Sequence, residues 1–363
     1  MHTVVKRLAF IDALKAIASQ LVVLHHLAFY GPMSDVANEL APAAFSWLSQ
    51  HARIAVQIFL VIGGFLAAKA LAPAGALTAV SPLALLRKRY LKLVIPYVAA
   101  LVLSIALAAI ARSLIDHDSI PNAPTGWQLL AHLGLLQNIL DFDSLSAGVW
   151  YIAIDFQLFA LMLGTLWLAR GAGRGSSRTP ALGIVLVAAL VLASLFVFNR
   201  DAQWDNWAIY FFAAYGLGAL AWWATRGEEK PGWLLLMAGV VVVALIVDFR
   251  SRIALALVTA LALSIAQHWK FLASRPQSQL LAYLGKISYS VFLVHFPVLL
   301  VVNAGVSRMA ADSPAANAFG IAFAWAASTA GGALFHRFIE SPASRWREAV
   351  RRFRERRIHA AKP

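Results

Sequence analysis

Ten apolar runs dominate this sequence, and each approaches the roughly 17–25 residues that a helix needs to cross a bilayer. They cover residues 8–30, 52–72, 91–112, 146–169, 180–198, 206–224, 232–248, 251–268, 284–303 and 315–338. In lipid a chain must satisfy its own backbone hydrogen bonds, and an apolar segment does so as a helix. The sequence therefore predicts an all-α polytopic membrane protein with about ten transmembrane helices.

The number of spans depends most on residues 248–252, where Asp248, Arg250 and Arg252 supply the only break between two runs. Without a turn there, the count falls to nine and the C-terminus changes sides. Composition supports the membrane class, because 61% of the residues are hydrophobic and 13% are charged. Soluble domains are about half apolar and a quarter charged.

Basic residues are distributed asymmetrically between the loops. With a cytoplasmic N-terminus, 24 of the 31 Lys and Arg residues lie at cytoplasmic ends. Six lie outside, namely Arg53, Arg112, Arg200, Arg250, Arg252 and Arg308, and Lys15 lies within the first span. Because cytoplasmic loops carry the excess of Lys and Arg, both termini are predicted to be cytoplasmic, in a multi-pass protein of a bacterial-type inner membrane.

The net charge of +14 raises the question of nucleic-acid binding. The excess lies in the predicted cytoplasmic loops and in a basic tail, residues 344–363, rather than in a folded basic domain. Such juxtamembrane segments orient membrane proteins and contact anionic lipids, so we predict membrane lipids as partners and no nucleic acid. The absence of cysteine excludes a thiolate nucleophile and a disulfide framework.

Residues 1–343 are predicted to form one transmembrane domain, since no repeat or long linker divides them. The first run shows no clear cleavage site and is predicted to remain as a span. Two long outer segments, 31–51 and 113–147, are candidate functional loops. The second contains a short apolar stretch, 127–140, predicted to be a re-entrant or interfacial helix. Its four aspartates make the outer mouth acidic, which favours a neutral, hydroxyl-bearing substrate.

Lys15 and His26 place a charge and a proton-transfer group on one face of the first predicted helix. Their eleven-residue spacing makes about three turns, leaving the side chains roughly 20° apart around the helix and about 16 Å apart along it. Ionisable groups in lipid are costly and indicate functional sites. Asp12 can pair with Lys15 at i, i+3. His25 points about 100° away from His26 and is predicted to be structural or interfacial.

Several segments resemble the acyltransferase-3 family of integral-membrane acyltransferases. The most specific is a basic residue, ten residues and a histidine, here Lys15 and His26 within FIDALKAIASQLVVLHHL, where Asp12, Leu14 and Ala16 also match. Further similar segments are IFLVIGGFL (58–66), RKRYLKLVIPY (87–97), VWYIAIDFQLF (149–159), KISYSVFLVHFPV (286–298) and FIESP (338–342). Together they extend from residue 10 to residue 342, nearly the whole predicted membrane domain.

Two positions depart from the family pattern. Gly63 and Gly64 stand where the family usually has Ser-Gly, so a hydroxyl available for substrate binding is missing. Lys92 stands where Arg is more common, and it offers a point charge instead of a two-pronged guanidinium. The spacing from Lys92 to Pro96 is similar to that in the branch that modifies exopolysaccharides and other glycans. No esterase-like domain is expected after the last span.

The resemblance implies O-acylation: an acyl group, most simply acetyl, passes from cytoplasmic acyl-CoA to a hydroxyl of an envelope glycan, polysaccharide or glycolipid. The hydroxyl proton needs a base, and histidine suits this near neutral pH, so His26 is the candidate. The alternative is a His26 that only bonds a neighbouring helix. Lys15 either binds the donor or its carbonyl, or packs as a pair with Asp12. Asp155 is expected to orient His26 as in a carboxylate–histidine dyad, or to make a structural hydrogen bond.

The remaining candidates contact the two substrates. Four basic residues are expected to attract coenzyme A phosphates, unless they are only an orientation signal: Arg87, Lys88, Arg89 and Lys92. Three residues are expected on the acceptor side: Trp150, Tyr289 and His295. For His295 a role as a core histidine is the alternative. Glu340 is expected to pair with Arg337 or with inner basic loops, and no metal is expected.

His26, Asp155 and His295 are predicted in the outer halves of their spans. Lys15 and residues 87–92 are predicted in the inner halves, so the donor is expected from the cytoplasm and the acceptor from outside. Whether the acyl group passes directly or through an acyl-histidine stays open. Two other functions also fit the pattern: a proton-coupled secondary transporter and a non-catalytic partner of a polysaccharide-export complex.

Overall fold

The computed structural model describes residues 8–78, 81–173, 178–225, 232–269 and 278–346. Within these ranges the chain is helical and contains no strand. The α-helices are α1 (Ala9–Phe29), α2 (Pro32–Ala37), α3 (Pro42–His51), α4 (Val56–Leu71), α5 (Pro82–Leu114), α6 (Gly126–Gly134), α7 (Val149–Gly173), α8 (Thr179–Phe196), α9 (Ala208–Ala224), α10 (Gly232–Val247), α11 (Ser251–His268), α12 (Gln279–Ala310) and α13 (Pro314–Phe335). A π-helix, His336–Glu340, continues α13. Most of the predicted basic tail lies outside the described residues.

Ten of these helices coincide with the ten predicted apolar runs. Eight lie in stretches of the described chain that are long and apolar enough to cross a membrane. The other two, α9 and α10, are apolar but have only 17 and 16 residues. The predicted break at 248–252 is present, because α10 ends at Val247 and α11 begins at Ser251. The all-helical membrane class is confirmed, and the count of ten crossings stays a prediction.

The helices pack in two groups. In the first, α12 contacts α1, α5 and α13; in the second, α9 contacts α4, α7, α8 and α11. The groups meet where α1 packs on α4 and where α5 packs on α7. The candidate site residues named from the sequence lie mainly on α1, α5 and α7, which meet at this junction, and on α12, which packs against α1 and α5.

Glycines bring α4 and α9 into backbone contact. A Cβ at Gly64 would lie 1.7 Å from the carbonyl oxygen of Tyr215, and a Cβ at Gly218 would lie 1.9 Å from that of Val61. Both obstacles are backbone atoms, so neither position holds a larger residue unless the helices separate. Gly64 is therefore required for packing.

The outer segment 113–147 folds back along α5. Its helix, α6, ends where Leu135 adopts a left-handed conformation with φ 58°. Tyr90 Oη donates a 2.7 Å hydrogen bond to the carbonyl oxygen of Leu133. Tyr90 lies 24 residues before the end of α5, about 36 Å along a helix axis. The helix is shorter than the predicted stretch 127–140, and whether it is re-entrant or interfacial stays a prediction.

Two arginines join the connections α8–α9 and α10–α11, which are predicted to lie outside. Arg250 donates to Asn199 Oδ1 at 2.8 Å and to the carbonyl oxygen of Leu195 at 3.0 Å. Arg252 donates to the carbonyl oxygen of Asn199 at 2.7 Å, and Asp248 forms an ion pair with Arg250 at 3.4 Å. These bonds give Arg250 and Arg252 a structural role in connections whose predicted outer position disfavours basic residues.

Candidate functional site

His26 of α1 and His295 of α12 form the central contact of the site. His26 Nδ1 lies 2.6 Å from His295 Nε2, and the two residues are 7% and 1% exposed. The ring centroids are 4.9 Å apart and the ring planes differ by only 4°. Because the two nitrogens are much closer than the centroids, the rings lie end to end and nearly coplanar. The hydrogen bond therefore runs along the length of both rings.

Backbone carbonyls determine which nitrogen of His295 carries the proton. His295 Nδ1 lies 2.8 Å from the carbonyl oxygen of Phe292 and 3.2 Å from that of Val291. A carbonyl oxygen only accepts, so Nδ1 of His295 is the N–H donor, and Nε2 of the neutral ring is an acceptor. His26 Nδ1 is then the donor across the 2.6 Å contact. The other nitrogen of His26, Nε2, keeps its lone pair.

A second contact with α12 holds the outer end of α1. Asn303 Nδ2 donates to the carbonyl oxygen of Tyr30 at 3.0 Å, and Asn303 Oδ1 accepts from the amide of Met33 at 3.2 Å. Between them Gly31 adopts φ 94°, and a Cβ there would lie 2.2 Å from Asn303 Nδ2. Only glycine fits this turn. The end of α1 that carries His26 is thus held by the same helix that carries its partner.

His25 bonds a different element. Its Nδ1 donates to the carbonyl oxygen of Leu48 at 3.1 Å, which ties α3 to α1. The ring centroids of His25 and His26 are 5.1 Å apart and their planes are tilted by 49°. The adjacent histidines thus have separate partners, and the contact of His25 is of the structural kind predicted for it.

Lys15 pairs with Asp12, as the spacing predicts, with 3.7 Å between Lys15 Nζ and Asp12 Oδ1. The side chains are 29% and 15% exposed. At the same level α12 touches α1, because a Cβ at Gly285 would lie 2.1 Å from the carbonyl oxygen of Asp12. Among the described contacts none joins Lys15 to the histidines.

Asp155 contacts Arg89 in place of His26. Both carboxylate oxygens accept from Arg89 Nη2, at 2.6 and 2.5 Å. The expected carboxylate–histidine dyad is therefore replaced by a partly buried ion pair between α5 and α7. Arg89, predicted in the inner half of the membrane, thus contacts Asp155, predicted in the outer half, and the depth of each residue stays a prediction.

Three tyrosines around this ion pair were less apparent from the sequence. Tyr151, Tyr215 and Tyr289 all lie near Arg89 and Asp155. Tyr289, a predicted acceptor-side residue, donates to the carbonyl oxygen of Leu93 at 3.1 Å. Tyr151 and Tyr289 lie within family-like segments, whereas Tyr215 has no motif that would indicate it.

The hydroxyl that is missing at Gly63 would face the same ion pair. A Cβ at Gly63 would lie 3.7 Å from Asp155 Oδ1 and 3.1 Å from the ring of Tyr215. Trp150 is the other aromatic residue predicted to contact the acceptor. It packs against Phe211, and the centroids of the two rings are 5.7 Å apart. These contacts place Trp150 in an aromatic cluster without showing a substrate contact.

The four basic residues of α5 separate into two kinds. Arg87, Lys88 and Lys92 are exposed, whereas Arg89 turns toward Asp155 and its guanidinium also stacks over Phe159. Arg89 is therefore not part of an exposed cationic cluster. Arg87, Lys88 and Lys92 are exposed, as residues that attract phosphates from solution must be.

Glu340 has partners other than Arg337. Its Oε2 accepts from Ser290 Oγ at 2.6 Å and lies 2.9 Å from His336 Nδ1. Arg337 stacks over Phe338 instead. The expected pairing is replaced by a link from the π-helix to α12. In the part of the chain that the structure describes, no group of three His, Asp or Glu side chains has an arrangement suited to a metal ion.

The comparisons with known proteins give one match. The family model described as an acyltransferase domain, that of the acyltransferase-3 family, matches residues 8–337 of the 363. No curated protein matches the chain, and no solved structure matches it. The family match includes α1 to α13 and every predicted site residue except Glu340. The chain therefore belongs to the acyltransferase-3 family.

Proposed function

We propose that this protein is an O-acetyltransferase of a bacterial-type inner membrane. It takes an acetyl group from cytoplasmic acetyl-CoA and passes it to a hydroxyl of an envelope polysaccharide or lipid-linked glycan. Family membership supports acyl transfer in general. The observation that carries the proposal is His26, a buried imidazole that donates from Nδ1 to His295 and has a lone pair on Nε2.

In the proposed reaction His26 Nε2 removes the proton of the acceptor hydroxyl while that oxygen attacks the thioester carbonyl carbon. A C–O bond forms, the C–S bond then breaks, and His26 returns the proton to the departing thiolate. One alcohol and one thioester become one ester and one thiol, so atoms and charges balance. Net transfer is the same if an acyl-histidine forms on the way.

The donor side of the proposal rests on charge at the inner end of α5. Arg87, Lys88 and Lys92 are exposed there and carry the charge opposite to that of coenzyme A phosphates. The donor would reach the histidines along the junction between the two helix groups, past Arg89 and Asp155. The acceptor would approach from the side of α3.

A proton-coupled transporter is the rival function, and the hydrogen bonds of the site weigh against it. The chain of proton-carrying groups runs from His26 to His295 and ends at the carbonyl oxygens of Phe292 and Val291. A carbonyl oxygen does not pass a proton on. Proton-coupled carriers use relays of ionisable groups, and among the described hydrogen bonds this relay has only two members.

The test uses matched substitutions of neighbouring histidines. His26→Asn keeps an N–H near the position of Nδ1 but removes the base, so transfer should fall by about 10²–10⁴-fold. His25→Asn keeps a donor for the carbonyl oxygen of Leu48, so activity should change little. Membranes are supplied with radiolabelled acetyl-CoA, and label in envelope glycan and release of free coenzyme A are both measured.

Equal membrane abundance of the two variants is the control for folding. Near-normal glycan labelling by His26→Asn, or equal losses from both variants, would contradict the assignment of the base. Absence of both label transfer and coenzyme A release in the wild-type protein would contradict the proposed acetyl-CoA reaction itself.

A further inference from the structure

His295 is held so firmly that its ring has one orientation and one neutral tautomer. Its Nδ1 proton is fixed by the carbonyl oxygens of Phe292 and Val291 within its own helix. The carbonyl oxygen of His295 accepts from Ser328 Oγ of α13 at 3.3 Å, and the residue is 1% exposed. The acceptor lone pair on Nε2 therefore points in a fixed direction, along the line to His26.

The fixed lone pair on Nε2 of His295 determines which nitrogen of His26 carries the proton. A free neutral imidazole favours the proton on Nε2, and in that tautomer His26 would have no lone pair to accept the hydroxyl proton there. The 2.6 Å bond to His295 requires the proton on Nδ1 instead. We propose that His295 is a positioning residue that holds His26 in its reactive tautomer and aims its Nε2 toward the acceptor hydroxyl. The inference rests on the proposed function, because it assigns the orienting group for that same base.

The orienting group is neutral, which distinguishes this pair from a carboxylate–histidine dyad. Asp155 has both oxygens on Arg89, so it supplies no negative charge to His26. Among the described residues, the rings of His25 and Tyr30 also lie beside His26, with centroids 5.1 and 5.5 Å away. When Nε2 takes up a proton, the bond from Nδ1 to His295 becomes charge-assisted and strengthens. His295 thereby lowers the free-energy cost of protonating His26, although its own ring stays neutral.

Two amide substitutions separate positioning from packing. His295→Gln places an amide oxygen near the position of Nε2, where it can accept from His26 Nδ1. His295→Asn places its amide near Nδ1, where it can keep the bond to the carbonyl of Phe292 but does not reach His26. A purely structural role predicts the opposite order, because Asn preserves the contact within α12. Both variants replace an aromatic ring with a smaller amide in the same buried site.

The expected kinetic result is a loss of kcat in His295→Asn of about 10²-fold, less than the roughly 10⁴-fold seen when a charged orienting aspartate is lost. The KM for acetyl-CoA should be unchanged, because His295 acts on the base and not on donor binding. His295→Gln should recover most of kcat. Equal kcat values for Gln and Asn, or a higher value for Asn, would overturn the inference.

A measurement without substrate separates this inference from the proposed function. Nitrogen NMR of ¹⁵N-histidine-labelled full-length protein in lipid vesicles distinguishes the two neutral tautomers, and the signals missing in His26→Asn identify His26. The wild-type protein should show His26 with its proton on Nδ1, and His295→Asn should shift it to Nε2. A wild-type His26 protonated on Nε2 would overturn the inference even if acetyl transfer is confirmed. The expected tautomer in a protein that transfers no acetyl group would instead count against the proposed function alone.

Discussion

At the scale of single residues, neighbouring charges on α5 have different structural partners. Arg89 forms a partly buried ion pair with the buried Asp155, whereas Arg87 and Lys88 are exposed. Arg89→Gln should therefore destabilise the protein strongly, because losing one partner of a buried pair costs about 3–5 kcal/mol. Thermal unfolding in detergent and membrane abundance measure this effect.

Arg87→Gln and Lys88→Gln are the matched comparison on the same turn of the helix. They should leave stability unchanged and raise the KM for acetyl-CoA, with the difference shrinking at high salt because exposed charges are screened. A KM that does not change would leave these two residues as orientation signals. A melting temperature unaffected by Arg89→Gln would contradict the structural importance of the ion pair.

His132 gives the outer segment a dependence on pH. It is fully buried, its Nδ1 donates to the carbonyl oxygen of Gln128, and its Nε2 accepts from the amide of Leu145. Burial lowers the pKa of His132 below its ordinary value of 6.5, against a smaller opposing effect of the bond to Gln128. The opened segment therefore binds protons more readily, and the folded segment loses stability as pH falls below about 6.5. Hydrogen exchange of residues 126–148, corrected for intrinsic rates, should show increased opening at pH 5 relative to pH 7.5.

His132→Gln is the control for that experiment. Its amide oxygen can accept from Leu145 at any pH, so the extra opening at pH 5 should disappear. If the variant keeps the full pH dependence, another group such as His117 of the same segment is responsible.

The sequence identified His26 and His295 separately but not as a pair. Residues 269 positions apart come together only through the packing of α1 on α12, and one sequence contains no record of that contact. For the same reason the sequence offers His26 as a partner of Asp155, whereas the structure pairs Asp155 with Arg89. The pairing of Asp12 with Lys15 was predictable, because a helix fixes the geometry at i, i+3.

At the scale of elements, hydropathy located the helices well but not their ends. α5 covers Pro82–Leu114 and α12 covers Gln279–Ala310, each extending beyond its apolar run. A hydropathy run ends where charged residues begin, although the helix continues into water. The short outer helices α2 and α3 were not predicted, because neither has the length or continuity of a span.

The contact between α4 and α9 predicts a sharp difference between two glycines. Gly64→Ala would place Cβ 1.7 Å from the carbonyl oxygen of Tyr215, so α4 and α9 must separate. We expect a loss of stability of at least about 1–3 kcal/mol, the cost typical of an overpacked core, because the obstructing carbonyl oxygen belongs to the backbone and cannot rotate away. Thermal unfolding of the purified variant measures the loss.

Gly239→Ala is the control within α10, where, among the described residues, the new Cβ would meet nothing within 4 Å apart from the backbone of its own helix and its chain neighbours. This change should be neutral or slightly stabilising, since alanine is the better helix former. A Gly64→Ala protein as stable as Gly239→Ala would show that α4 and α9 are not in backbone contact.

At the scale of the whole molecule, the two short helices α9 and α10 affect the predicted number of spans more than the predicted side of the C-terminus. α9 and α10 have 17 and 16 residues, about 24–26 Å of helix, slightly less than the roughly 30 Å of hydrocarbon. Mismatch of this size is accommodated by local thinning of the bilayer. If both helices failed to cross, the number would fall by two, and the C-terminus would remain on the same side. If only one of the two helices failed to cross, the C-terminus would lie on the opposite side of the membrane.

The absence of cysteine makes this topology directly measurable, because every introduced thiol is the only one in the chain. Ala202→Cys, Phe249→Cys and Ala311→Cys lie at exposed positions in three predicted outer connections. A membrane-impermeant maleimide should label these three in intact spheroplasts. Ser81→Cys and Arg345→Cys are exposed at predicted inner positions and should react only after lysis. Labelling of Arg345→Cys before lysis would place the C-terminus outside and reverse the proposed sides of donor and acceptor. Protection of Phe249→Cys alone would show that α10 and α11 do not both cross the bilayer.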